Sequence, residues 1–195
     1  ARHTAEGFAI ELEGGETVHA SRLILATGVR DSIPDLPGLR ERWGRSAFHC
    51  PYCHGYELDQ GQIGVLATSP LAMHQALMLP DWGPTTLFLN DAFEPDEAQF
   101  AELEARRTSI VHGAVARITG DRAAVELADG RVFNCEGLFI QAPIEPASPL
   151  AVQLGCAMEE GPMGFNVRTD AMKQTSVPGV FACGDVARAA GSVPL

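Results

Sequence analysis

Gln62-Ile63-Gly64-Val65-Leu66-Ala67-Thr68-Ser69-Pro70-Leu71-Ala72, with Thr85-Thr86-Leu87-Phe88-Leu89-Asn90 and Ser109-Ile110-Val111-His112 after it, is the stretch whose reading decides the fold. The apolar runs at 62–67, 85–90 and 109–112 have strand length and composition. The segments between them, 70–79 and 95–106, have helical length and spacing. The second helix carries Pro95 near its first position, Asp96 and Glu97 in its first turn and Arg106-Arg107 at its end, all complementary to the helix dipole. Strand and helix in strict alternation mean βαβ units on a parallel sheet. The fold class expected is therefore α/β, with a parallel sheet at its centre.

Outward from this centre the pattern changes. Residues 114–119, 123–127 and 131–134 read as an antiparallel excursion turning at Asp129-Gly130, and 137–141 as a return to a buried strand. On the N-terminal side, strands are expected at 8–12, 17–20 and 22–26. Ile33-Pro34-Asp35-Leu36-Pro37-Gly38 then forms a rigid non-helical crossing, because each proline fixes its own φ and restricts the residue before it. On the C-terminal side Pro143, Pro146 and Pro149 break the chain, a short helix is expected at 149–154, strands at 166–168 and 180–182, and a helix start at 187–190.

The chain has 195 residues, 46% of them hydrophobic, enough to bury a sizeable core as one domain or two small ones. No apolar run reaches the ~18 residues of a membrane span. The net charge of −11, spread along the chain, repels phosphate backbones and argues against nucleic acid or an anionic membrane surface as a partner. Of the 5 cysteines only Cys50 and Cys53 are closely spaced, which points away from a disulfide framework and toward a reducing, cytoplasmic setting. The start, Ala1-Arg2-His3-Thr4, is neither a signal peptide nor an initiator methionine, and the sequence is expected to be a piece of a longer one.

Chemistry concentrates in Cys50-Pro51-Tyr52-Cys53-His54-Gly55-Tyr56-Glu57. Two thiols at this spacing can close a disulfide or donate two electrons. CxxCH is also a haem-attachment pattern, and CPYC a glutaredoxin tetrapeptide. A zinc site would need a second ligand pair that the sequence lacks, so no metal site is expected. The glutaredoxin reading wants a strand directly before the first cysteine, and 42–46 is a poor one. A second feature is Ala182-Cys183-Gly184-Asp185. A strand ending in glycine and a carboxylate lets backbone approach a ligand and offers Asp185 to sugar-like hydroxyls, or else Asp185 is an ordinary helix N-cap.

The longer run Lys173-Gln174-Thr175-Ser176-Val177-Pro178-Gly179-Val180-Phe181-Ala182-Cys183-Gly184-Asp185 resembles the C-terminal flavin motif of flavoproteins with two dinucleotide-binding domains. Leu25-Ala26-Thr27-Gly28, with its Pro-x-x-Pro-Gly sequel, resembles their internal segment near the flavin. With the CxxC between these motifs, the chain resembles the low-molecular-weight thioredoxin reductases, in the branch carrying CPYCHGYE. The resemblance implies FAD, with Asp185 and Gly184 on a ribityl hydroxyl and Thr27 and Gly28 nearby. It also implies a redox role for Cys50 and Cys53, a disulfide or dithiol substrate (protein or small molecule), and a homodimeric parent. Where such proteins place Asp after the second cysteine this chain has His54, whose imidazole suits proton transfer near neutral pH; His49 is a second candidate.

The nicotinamide site departs from the pattern. The fingerprint positions after the strand 62–67 hold Ala67, Ser69 and Ala72, and Asn90 and Asp91 stand where arginines would hold a 2′-phosphate. NAD(P)H use is thus open. The functions expected are a reductase moving electrons between NAD(P)H, FAD and the dithiol, a flavoprotein dithiol oxidase passing them to oxygen, or a redox-inactive scaffold. The domains the resemblance implies are 1–33 and 161–195 as parts of a FAD domain, flanking 34–160 as a Rossmann-like NAD(P)-binding-like domain carrying the CxxC, with hinges at 33–38 and 159–164. With no FAD fingerprint before Ala26, the piece by itself is expected to bind FAD poorly.

Overall fold

A computed structural model of the chain describes residues 1–189. It separates into two compact units, Ala1–Ser32 with Pro143–Leu195, and Ile33–Ala142. No helix among the described residues is long and apolar enough to cross a membrane.

The unit Ile33–Ala142 is built on a five-stranded sheet in the order Ala47–Phe48, Gly137–Ile140, Ile63–Leu66, Thr85–Phe88, Ser109–Val111, parallel throughout. All residues of the three central strands are buried, as a parallel sheet covered on both faces requires. Successive side chains go to opposite faces. Phe48, Val65, Leu87 and Phe139 pack with Ala72, Met73 and Ala76 of helix α2 (Ala72–Met78) and Leu103 of α3 (Glu97–Ala105). Ala47, Leu66, Phe88, Leu138 and Ile140 pack with Val115, Ile118, Val125 and Leu127. These last belong to the antiparallel layer Val115–Thr119, Ala124–Leu127, Val132–Phe133. Each fully buried Phe or Leu contributes roughly 1.5–3 kcal/mol. The α/β class expected from the alternation is the class observed, in the Rossmann-like form that the resemblance implies.

Two local expectations change. Helix α3 is capped by Asp96, not started by Pro95. The Gln99 N–H donates to Asp96 Oδ1 and the Asp96 N–H to Gln99 Oε1, each at 2.9 Å, a reciprocal capping box. A two-residue strand, Ala47–Phe48, does stand close before Cys50. It is too short to show in the sequence and is held by its neighbour Gly137–Ile140. The objection to a glutaredoxin on the ground of a missing strand is thereby removed.

Gly38 closes the crossing into this unit. Its φ of +81° is left-handed, and a β-carbon built there would lie 1.9 Å from the Ile118 carbonyl oxygen. Next to it the Ile118 N–H donates to Pro37 O at 2.8 Å. Arg42 secures the same corner with bonds to the carbonyls of Gly38 and Arg122, 2.8 Å each, and to that of Gly120.

The other unit holds a two-stranded parallel sheet, Leu23–Leu25 with Val180–Ala182, an antiparallel sheet Arg2–Thr4, Gly7–Glu11, Thr17–Ala20, and a mixed sheet Met158–Gly161, Gly164–Val167, Ile144–Pro146, Val29–Asp31 whose middle pair is parallel. Phe8, Leu25, Leu154, Val167, Val180 and Val186 fill its core. The chain leaves after Ser32 and returns at Pro143, where the Ser32 N–H donates to Pro143 O at 2.7 Å. The return thus lies near residue 143 instead of 160/161. The stretch 159–164, expected to be a hinge, is a hairpin turn that pairs Gly161 with Gly164 inside this unit. The expected helix start at 187–190 is a 3₁₀ turn, Asp185–Ala187, and Ala190 lies outside the described residues.

Candidate functional site

The dithiol is presented by the end of the strand Ala47–Phe48. After His49, Cys50 occupies the N-cap of a one-turn helix α1 (Pro51–His54), with extended φ, ψ of −101° and 115°. Pro51 suits the first helical position because its missing N–H would have no partner there. The turn closes with the Cys53 N–H on Cys50 O at 3.2 Å and the Gly55 N–H on Pro51 O at 2.7 Å. This brings the Cys53 thiol to donate to Cys50 Sγ, with 2.8 Å between the sulfurs. Cys50 is half-buried and Cys53 exposed.

That hydrogen bond is the main reason the Cys53 thiol is pushed up to about 11; partial burial and the charges of Cys50 and Glu57 add to it. Burial, with Glu136 beside it, pushes Cys135 up to about 12. Since the thiolate is the reactive species, Cys53 in the reduced chain is expected to alkylate slowly at neutral pH. Its thiolate is roughly one part in a thousand at pH 8, so the rate should rise about tenfold per pH unit and level off only near pH 11. Cys135 should stay unlabelled until the chain unfolds. Peptide mass spectrometry after iodoacetamide pulses checks both, and a plateau for Cys53 between pH 8 and 9 contradicts the first.

His54 ends α1 with its ring stacked on Phe48, centroids 4.2 Å apart and planes at 13°. The buried Nδ1 atoms of His54 and His49 have no hydrogen-bond partner. His54 thus adjoins the pair in sequence but spends its ring face on packing. Sequence reasoning missed Gln75, which reaches from α2 to the His49 carbonyl at 2.7 Å. A glutamine in a helix reads as a solvated residue, and nothing in the sequence marks it. Tyr52 stands between the cysteines, 68% exposed, its ring edge-on to Trp82 at 5.5 Å.

In the other unit, the parallel register Ala182–Leu25 aligns two strand ends, continued by the Cys183 N–H on Leu25 O at 3.1 Å. Thr27 and Gly28 follow one strand, Gly184 and Asp185 the other, so all four expected residues emerge at one end of the same two-stranded sheet. Gly184 has φ +72°, with open space where a β-carbon would be. Asp185 is exposed and is the first residue of the 3₁₀ turn, whose N-cap is Gly184, so the plain N-cap reading is not realised. An open backbone next to an exposed carboxylate fits a hydroxyl-rich ligand such as the ribityl chain of FAD.

The turn expected to bind nicotinamide fits poorly. Ala67 is buried, and its N–H is bonded to Phe88 O at 3.0 Å. Ser69 Oγ accepts the Leu71 N–H at 3.3 Å, Ser69 O the Ala72 N–H at 3.1 Å, and Pro70 O the Met73 N–H at 3.1 Å. The N–H groups of Leu71, Ala72 and Met73 are thus bonded within the turn itself, and no glycine opens it to a pyrophosphate. Asn90 is committed to Ala67 O at 3.2 Å and to the Val115 N–H at 2.8 Å. Asp91 is exposed at φ +53°. Among the described residues no group of three or more His, Cys, Asp or Glu could hold a metal ion.

The family model described as pyridine nucleotide-disulphide oxidoreductase matches residues 3–194. The thioredoxin reductase tcpT of Claviceps purpurea is 35% identical over 97% of this chain and 62% of its own length. The chain thus spans about three-fifths of that curated relative. Among solved structures, an oxidoreductase from Agrobacterium tumefaciens is 55% identical with a TM-score of 0.92, covering 99% of this chain and 65% of that one. The structure of HlmI is 38% identical with a TM-score of 0.83, covering 95% and 58%.

Proposed function

We propose, on the premise that this chain belongs to the pyridine nucleotide-disulphide oxidoreductase family, that it carries the dithiol of a flavin-linked enzyme interconverting thiols and disulfides. One observation carries this reading: two sulfurs 2.8 Å apart at the start of a helical turn, one exposed and one half-buried. In the oxidised form a substrate thiolate attacks one sulfur of the Cys50–Cys53 disulfide. The second substrate thiol then displaces the mixed disulfide, leaving the substrate oxidised and the pair as two thiols. His54 and His49 are the bases adjoining the pair for the protons released. FAD, when bound, supplies a two-electron acceptor or donor. Asp185, Gly184, Thr27 and Gly28 are the residues proposed to hold its ribityl region.

Of the two directions, the glycine-free turn before α2, with its N–H groups bonded locally, favours electrons arriving from substrate thiols over NAD(P)H. The net reaction is then a dithiol plus oxygen giving a disulfide plus hydrogen peroxide. The test is anaerobic mixing of the holoprotein with NADH, NADPH or dithiothreitol. The flavin absorbance should bleach with the dithiol alone, and admitting air should return it with about one peroxide per dithiol. Equal bleaching by NADH or NADPH would make the protein a reductase instead, with Ala67, Ser69 and Asp91 in a working nicotinamide site.

A further inference from the structure

Gln75 is buried, 3% exposed, on a helix whose neighbouring buried side chains are Ala72, Met73 and Ala76. An amide in such a place costs stability unless it is bonded, and one bond accounts for it: Nε2 donates to the His49 carbonyl at 2.7 Å, while Oε1 has no partner. The peptide joining His49 to Cys50 is planar and trans. A bond that pins its oxygen therefore also pins the Cys50 N–H and the direction in which the chain enters Cys50. On the other side Pro51 has a fixed φ. Cys50 is held from both sides, with its sulfur 2.8 Å from that of Cys53.

Closing the disulfide requires that separation to shrink to about 2.05 Å at a defined torsion, so the orientation of Cys50 enters the equilibrium directly. We propose that Gln75 is a positioning residue for the dithiol: its amide sets the entry to Cys50 from α2 and thereby favours closure of the Cys50–Cys53 disulfide. The proposal rests on the redox reading of the pair but is tested separately from it. Oxidised glutathione is the reference oxidant. Two thiols lose two protons and two electrons, the S–S bond forms, and glutathione disulfide becomes two glutathione thiols.

The experiment equilibrates the 195-residue chain with glutathione buffers, quenches with acid and counts free thiols at Cys50 and Cys53 by mass. Gln75→Met keeps the length without the donor, and Gln75→Glu replaces the donor by a carboxylate. Both should lower the equilibrium constant for closure about tenfold, a potential shift of ~30 mV for this two-electron couple. His74→Ala, on the exposed residue beside Gln75, should leave it unchanged. A chain that folds with either substitution and keeps the wild-type constant overturns the proposal, even if its melting temperature drops. If instead the wild-type pair never closes, the redox reading itself fails.

Linkage is reciprocal, so the wild type gives an answer even if neither variant folds. The Gln75 side-chain amide resonances should differ between the dithiol and disulfide forms, and resonances that coincide overturn the proposal.

Discussion

Replacing either Cys50 or Cys53 by serine in the holoprotein is expected to reduce dithiol oxidation to background, a loss of at least ~10³-fold, as when a covalent nucleophile is removed. The reason is stoichiometric. A single sulfur cannot form the intramolecular disulfide, so the variant has no S–S bond for a substrate thiolate to attack. Given oxidised glutathione, the remaining cysteine should exchange into a mixed disulfide of one glutathione mass, releasing one glutathione thiol, visible by intact mass spectrometry and reversed by dithiothreitol. Folding should be nearly unaffected, because the thiol–thiol hydrogen bond lost is exposed at its Cys53 end and worth under about 1 kcal/mol. Peroxide production above a tenth of wild type in both variants would remove the pair from the mechanism.

The second large effect concerns stability. Gly38→Ala should destabilise the unit Ile33–Ala142 by about 3 kcal/mol or more, combining left-handed strain with a backbone collision. The new β-carbon would meet the Ile118 carbonyl oxygen at 1.9 Å, and that oxygen belongs to the antiparallel layer, not to a side chain that can swing away. For a unit of this size the melting temperature should fall by roughly 10–20 °C. Gly44→Ala separates the two causes. Its φ of +75° is similar, but nothing lies within 4 Å of the added atom. It should cost only the conformational strain, about 1–2 kcal/mol. Equal losses in the two variants, read by thermal unfolding, would show that the close approach at Ile118 carries no weight.

The parallel sheet was legible because strands buried on both faces leave continuous apolar runs, and 63–66, 85–88 and 137–140 are such runs. The juxtaposition of Thr27-Gly28 with Gly184-Asp185 was legible only through the resemblance. Nothing local in either segment announces a partner so distant in sequence. Ala47–Phe48, Val29–Asp31 and Met158–Gly161 were not legible. They are two to four residues long, and the last two are partly polar. Their existence depends on neighbours that supply hydrogen bonds, not on any pattern of their own. The return near residue 143 was hidden for the same reason: Pro143 and Pro146 look like breaks, although Ile144–Pro146 pairs with Val29–Asp31. His54 was legible as an ionisable neighbour of Cys53, but its stacking on Phe48 is a tertiary fact.

The pairing of Leu23–Leu25 with Val180–Ala182 has a consequence for how the molecule is made. On the ribosome the first of these strands emerges some 155 residues before its partner, an interval of roughly 8–30 s at usual synthesis rates. Throughout it Leu23–Leu25 lacks the one sheet neighbour it has among the described residues, and Ile24, 69% exposed in this structure, is uncovered. The intervening unit Ile33–Ala142 is continuous in sequence and can complete its own sheet in that interval. Once folded, it replaces a long floppy loop by a short one, which lowers the entropy cost of bringing the late strand to the early one. Synthesis order thus lets the inner unit fold before the outer one can close its sheet.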